Sequence, residues 1–188
     1  MVGTSIFAAK TLAGSSIQEA VGWALVPEIV NIVQMLLQGR AAKINVSENG
    51  LWLRLAVNLF VAHAGVTGAD HVDTTLKVFN AYRAFNAVAM VAAPEKGLKA
   101  WGLSSCSGTD PIFMRSLGWM MGCYATALFS QLQGNSAATA VGHTYLVLAA
   151  SGLSNVFITK GTEKLGGKLG PMYAWYGIAC AVAAFTLF

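Results

Sequence analysis

The sequence predicts an all-α, polytopic transmembrane helix bundle of about five spans with an N-terminal amphipathic, interfacial helix. Three observations predict it. Of 188 residues, 55% are hydrophobic and 11% are charged, against about 45–50% and about 25% in ordinary soluble domains. No Asp, Glu, Lys or Arg lies between Arg115 and Lys160, and none follows Lys168. A transmembrane helix takes about 20 mostly apolar residues, so the first gap holds two helices and a turn, and the second holds one. Finally, the lysines and arginines gather on alternate connections between the apolar runs, as the positive-inside bias requires.

The chain divides into an N-terminal segment, 1–45, and a bundle, 46–188. "MVGTSIFAAKTLAGSS" has the hydroxyls and the missing acids of an organelle transit peptide but lacks its arginines. Next comes "IQEAVGWALVPEIVNIVQMLLQGR". Glu28, Asn31, Gln34 and Gln38 recur at three- and four-residue steps and so share one polar stripe. Ile29, Val30, Ile32, Val33, Leu36 and Leu37 cover the other side. Such a helix suits a membrane surface or a partner, with Pro27 at a start or kink; a sixth span is the alternative.

The expected spans are Leu51–Gly68, Thr75–Ala93, Met114–Leu132, Ala137–Ile158 and Pro171–Phe188. Their loops put Lys10, Arg40, Lys43, Lys96, Lys99, Lys160, Lys164 and Lys168 on one side, with Arg54 and Arg115 in adjoining first turns. The other side has Lys77 beside Asp70 and Asp73, and the uncharged "GNSA" turn. Pro94 closes the second span, "GTDP" precedes the third and "GGKLGP" leads into the last. No long repeat is visible in this pass, and no inverted repeat.

Gly118, Gly122, Thr126 and Ser130 lie four apart and share a helix face, where small residues let another helix approach. Ala179 and Ala183 do the same on the last span. The net charge of +4 follows from topology, and with no basic cluster nucleic acid is not an expected partner. Cys106, Cys123 and Cys180 form no CxxC pair and no disulfide framework.

Histidines and aspartates crowd into "AHAGVTGADHVD", but the step from His63 to His71 fits no zinc pattern. The stretch reads as a helix–loop–helix turn with Asp73 capping the next helix. His63, Asn80 and His143 fall at one depth, as do Asn58 and Asn86. Arg83 falls level with Tyr124 near mid-membrane, estimated from about 1.5 Å of rise per residue. Polar groups at that depth are costly and point inward. They form either an internal hydrogen-bond network or a site for a head group, quinone or pigment.

No HExxH, GxSxG, phosphate loop or paired haem-type histidines occur. No carboxylate falls in the five core spans, which lowers catalysis and proton-coupled transport as readings. From about Tyr82, a helix ending "AAP", a loop with "WG", then "DPIFMRSLGW" and three further spans resembles the small four-helix membrane proteins of the DoxX-like kind. The resemblance covers the last 110 or so residues and implies a four-helix fold with links to quinone chemistry. It carries over no site residue, and the first 70 residues depart from it.

The expectation is therefore a non-catalytic accessory subunit of a multi-subunit membrane complex, of photosystem or antenna type, in the thylakoid. Its partners are other membrane-protein subunits and its cofactors chlorophyll or carotenoid. His63, His143, Asn58, Asn80, Asn86 and Gln131 are the candidate ligands. The alternatives are a quinone- or lipid-linked oxidoreductase or binding protein centred on Arg83, and a respiratory-complex subunit. The mitochondrial inner membrane and the bacterial plasma membrane are the alternative locations.

Overall fold

The computed structural model describes residues 2–39, 47–100 and 110–188, and every regular element among them is helical. In order these are α1 (Val2–Leu12), α2 (Ile17–Leu37), α3 (Glu48–Thr67), α4 (Val72–Ala92), α5 (Pro94–Ala100), α6 (Asp110–Leu132), α7 (Ala137–Leu153), α8 (Gly161–Lys164) and α9 (Leu169–Leu187). One π-helical turn, Ser154–Ile158, extends α7.

Four of these are long and apolar enough to cross a membrane: α2, α3, α7 with its π turn, and α9. Twenty residues rise about 30 Å, the thickness of the hydrocarbon core. The chain is an integral membrane protein with an all-α fold. The helix expected at the surface, α2, belongs to this set. The helices α4 and α6, expected as spans, have 21 and 23 residues but lie outside it. Asp73, Lys77 and Arg83 lower the hydropathy of α4, as Asp110 and Arg115 do for α6.

The described helices sort into two compact units that divide within α4, between Phe79 and Asn80. In the first, α1 ends where Gly14 takes φ +81°. There Gly14 N–H donates to the Thr11 carbonyl and Ser15 N–H to the Lys10 carbonyl, closing a Schellman turn that glycine permits. Ser16 Oγ then caps α2 by accepting from Glu19 N–H.

Along its length α2 packs on α3. A Cβ at Gly22 would stand 2.9 Å from the Ala62 carbonyl oxygen and from Val66. One at Gly65 would collide with the Gln18 carbonyl and lie 3.1 Å from Gly22 N. Backbones this close need small residues. Further along, Ile32 packs with Leu51 and Leu55, and Ile29, Val33, Met35 and Leu36 close round them. Pro27 is accommodated inside the helix. The next helix, α4, starts at Val72, earlier than expected. Asp73 therefore sits in its first turn, and its carboxylate accepts from Gln18 Nε2 at 3.0 Å.

In the second unit, Gly118 of α6 lies against the Ala87 carbonyl and Met90 of α4. Gly122 faces Val147 of α7 and Ala87. Gly142 of α7 meets Thr186 and Leu187 of α9, and Gly152 meets the Tyr176 ring. Ala179 and Ala183 are fully buried, so the small-residue faces read from the sequence are internal seams.

One arrangement occurs twice, contrary to the expectation of no long repeat. "LAGSSIQEAVG" from Leu12 and "LQGNSAATAVG" from Leu132 keep Leu, Gly, Ser, Ala, Val and Gly in step. The geometry keeps the same step. Gly134 also has φ +81°; its N–H donates to the Gln131 carbonyl and Asn135 N–H to the Ser130 carbonyl. Ser136 caps α7 through Thr139 N–H, as Ser16 caps α2 through Glu19. Gly22 meets Val66 as Gly142 meets Thr186. Gly3 abuts the Ala24 carbonyl, and Cys123 Sγ donates to the Thr144 carbonyl. Only seam and turn positions are kept between the two copies, so the repeat leaves little trace in the sequence.

Candidate functional site

The most developed polar group sits where α6 turns into α7. The Schellman turn at Gly134 reverses the chain and brings the last turn of α6 beside the first two turns of α7. Ser130, almost fully buried, thereby places Oγ 3.0 Å from His143 Nδ1. Asn135 Nδ2 donates to the same Oγ at 3.3 Å. A serine oxygen accepts two hydrogen bonds and donates one. With Nδ1 protonated, His143 donates to Ser130 and keeps a lone pair on Nε2. With Nε2 protonated, Ser130 donates instead. His143 itself is half-buried. Beside Ser130, Gln131 is 8% exposed and its Oε1 has no hydrogen-bond partner.

The polar face of α4 is divided. Asn80 is buried and spans to α6, with Nδ2 donating to the Ala125 carbonyl at 3.0 Å and Oδ1 left without a hydrogen bond. Arg83 lays its guanidinium over the Tyr124 ring, 5.3 Å from its centroid. That is the level expected from helical rise, and a cation–π contact. Asn86 turns back to its own helix and donates to the Tyr82 carbonyl at 2.8 Å. Arg115 reaches the Val91 carbonyl at 3.3 Å. The second unit thus holds His143, Gln131, Asn80, Arg83 and Asn86.

Asn58 and His63 belong to the first unit. Asn58 is 2% exposed, and its Nδ2 has no hydrogen-bond partner. His63 is exposed, and its carbonyl accepts from Thr67 Oγ1. His71 stacks on Phe60, centroids 5.6 Å apart. The "AHAGVTGADHVD" stretch forms the last turns of α3, the connection and the first residues of α4, and among the described residues no three of His, Cys, Asp and Glu group together.

In the first unit, the positions equivalent to Ser130 and His143 are Lys10 and Trp23. They also touch: Lys10 Nζ lies 5.2 Å from the Trp23 ring centroid and 2.8 Å from Glu19 Oε1. The corner is retained while its chemistry differs, an ion pair in one unit and a Ser–His–Asn hydrogen-bond chain in the other.

Two features carry little signal in the sequence. Spacing marks Ser130 only as a small residue, although a serine one turn before a Gly-Asn-Ser turn faces the second turn of the next helix. Spacing likewise marks Glu28 only as one member of a polar stripe. In the structure its Oε1 accepts from Arg54 Nε at 2.7 Å across α2 and α3. Comparison with family models, with curated proteins and with solved structures finds no match. Fold and composition define the class, a helical integral membrane protein.

Proposed function

We propose that this protein is a non-catalytic accessory subunit of a multi-subunit membrane complex of photosystem or antenna type, in which the His143 imidazole would hold a chlorophyll through its magnesium. The arrangement of His143 carries this reading. A ligating imidazole is oriented by a hydrogen bond at its other nitrogen, and Ser130 occupies that place at Nδ1. The ring stands half-buried on a helix of spanning length, with Gly142 next to it. His63, exposed on α3, is a second ligand of the same kind. Gln131 Oε1 and Asn80 Oδ1 are further candidate acceptors for a bound pigment's polar groups, and Asn58 Nδ2 is a donor. Exposed Phe113, Phe129, Phe157, Trp175 and Phe185 are the groups that carotenoid or neighbouring subunits would cover. The thylakoid is the membrane this reading implies.

Gentle solubilisation of the native membrane tests it. The expected result is co-migration with a large assembly that carries pigment absorbance, and a loss of bound chlorophyll in His143→Ala. Co-migration without pigment would place the protein with respiratory assemblies and sink the ligand assignment. A second reading, a quinone- or lipid-linked protein, is favoured by Arg83 over Tyr124, a cation–aromatic pair suited to an anionic head group or quinone oxygen. Quinone-dependent turnover by the isolated chain, lost in Arg83→Ala, would establish it in place of the first.

A further inference from the structure

We infer that α1–α3 and the second half of α6 with α7 and α9 are two copies of one three-helix unit. It follows that α2 is a span, as α7 is, and that its outer face meets lipid acyl chains, not head groups. The inference rests on integral membrane character alone and is independent of any pigment.

Four contacts repeat at one constant offset, and each is specific. The Schellman turn and Ser cap join the first two helices of the unit in both places. Residues 10 and 23 touch, as do 130 and 143. Residue 3 meets the carbonyl of 24, and residue 123 that of 144. Residue 22 meets 66, and 142 meets 186. A chance likeness between two helical hairpins reproduces a turn. It does not reproduce the register along two further helices.

The helices also match in extent. Both α2 and α7 with its π turn are long and apolar enough to span, as are their neighbours α3 and α9. If α7 crosses, the helix built and packed like it crosses too. The exposed residues Trp23, Val26 and Val30 of α2 correspond to positions on α7 that include exposed Leu146. The acid in α2 does not oppose this, because Glu28 is paired with Arg54, and paired charges are the form tolerated within membranes.

The basic residues repeat as well: Arg40 and Lys43 follow α2 as Lys160, Lys164 and Lys168 follow α7, and lysines and arginines gather at the end of a span.

The test uses the full chain in sealed vesicles, with Cys106, Cys123 and Cys180 replaced by serine and single cysteines introduced. An impermeant thiol reagent is expected to label Ser15→Cys and Gln38→Cys from opposite sides, and Asn135→Cys and Lys164→Cys likewise from opposite sides. Labelling of Ser15→Cys and Gln38→Cys from the same side would overturn the proposal, because α2 would not cross. A fluorophore on Val30→Cys gives a second reading on unperturbed turns. Strongest quenching by lipids brominated near the acyl-chain end is expected, and strongest quenching by lipids brominated beside the head group would overturn it.

Discussion

Glu28 and Arg54 join α2 to α3: Glu28 Oε1 lies 2.6 Å from Arg54 Nη2 and 2.7 Å from Nε. Both nitrogens of one guanidinium edge address a single carboxylate oxygen. In water such a partly exposed pair contributes little, but charges set against lipid rely on pairing, so the contact counts for more there. Glu28→Ala and Arg54→Ala are each expected to lower stability by roughly 1–3 kcal/mol, read as denaturant unfolding in detergent. The double variant Glu28→Leu with Arg54→Leu is expected to recover most of that loss. Additive losses in the double variant would show that the two groups act separately.

Close helix approach gives a second expectation. Gly22→Ala, Gly65→Ala and Gly152→Ala each place a methyl against backbone or against the Tyr176 ring. They are expected to cost about 1–3 kcal/mol, the usual range for overpacking. Gly170 and Gly177 have open space where a Cβ would go. Alanine there is expected to be neutral or slightly stabilising, since alanine favours helix by up to about 1 kcal/mol over glycine. Thermal unfolding of the five variants side by side checks the contrast.

The paired turns supply a third. Gly14 and Gly134 share φ +81°, a conformation that costs other residues about 1–2 kcal/mol. Gly14→Ala and Gly134→Ala are expected to destabilise by that amount, with Gly134→Asn milder than Gly134→Ala. Ser16→Ala and Ser136→Ala are each expected to cost about 1 kcal/mol through loss of the cap. Unfolding midpoints that differ sharply between the two members of a pair would contradict the equivalence of the turns.

A fourth concerns Ser130. On the proposed pigment-binding reading, with the Ser130 hydroxyl orienting the His143 ring, Ser130→Ala is expected to weaken pigment retention about 10-fold or more, the usual scale for the group behind a ligand. Ser130→Thr, which keeps the hydroxyl, is expected to restore part of it. Bound chlorophyll per chain, measured by absorbance after purification, gives the reading. Equal retention in Ser130→Ala and the unaltered protein would reduce the contact to a packing hydrogen bond.

Much of the fold was legible. The charge-free runs located α7 and α9, Gly134 and its neighbours marked the reversal between α6 and α7, and Ala179 with Ala183 marked a seam. The membrane role of α2 was harder to read, because Glu28, Asn31, Gln34 and Gln38 look like a face turned to water. Only the pairing of Glu28 with Arg54, residues far apart in sequence, changes the meaning of that stripe. The repeat was hidden for a related reason. Lipid-facing positions accept any apolar residue, so Val26 can stand where Leu146 does and leave no signal. Turn and seam positions are held by backbone geometry, and there Gly14 and Gly22 reappear as Gly134 and Gly142. At the site, helical rise put Arg83 level with Tyr124 correctly, while the Ser130–His143 contact needed the turn geometry to be seen.

The central claim is that lipid tails, not water, solvate the outer faces of these helices. Alkaline carbonate extraction of membranes containing the full chain measures this directly. The protein is expected to stay wholly in the membrane pellet and to be released only by detergent. Recovery in the carbonate supernatant, as a species that remains monodisperse without detergent, would contradict it.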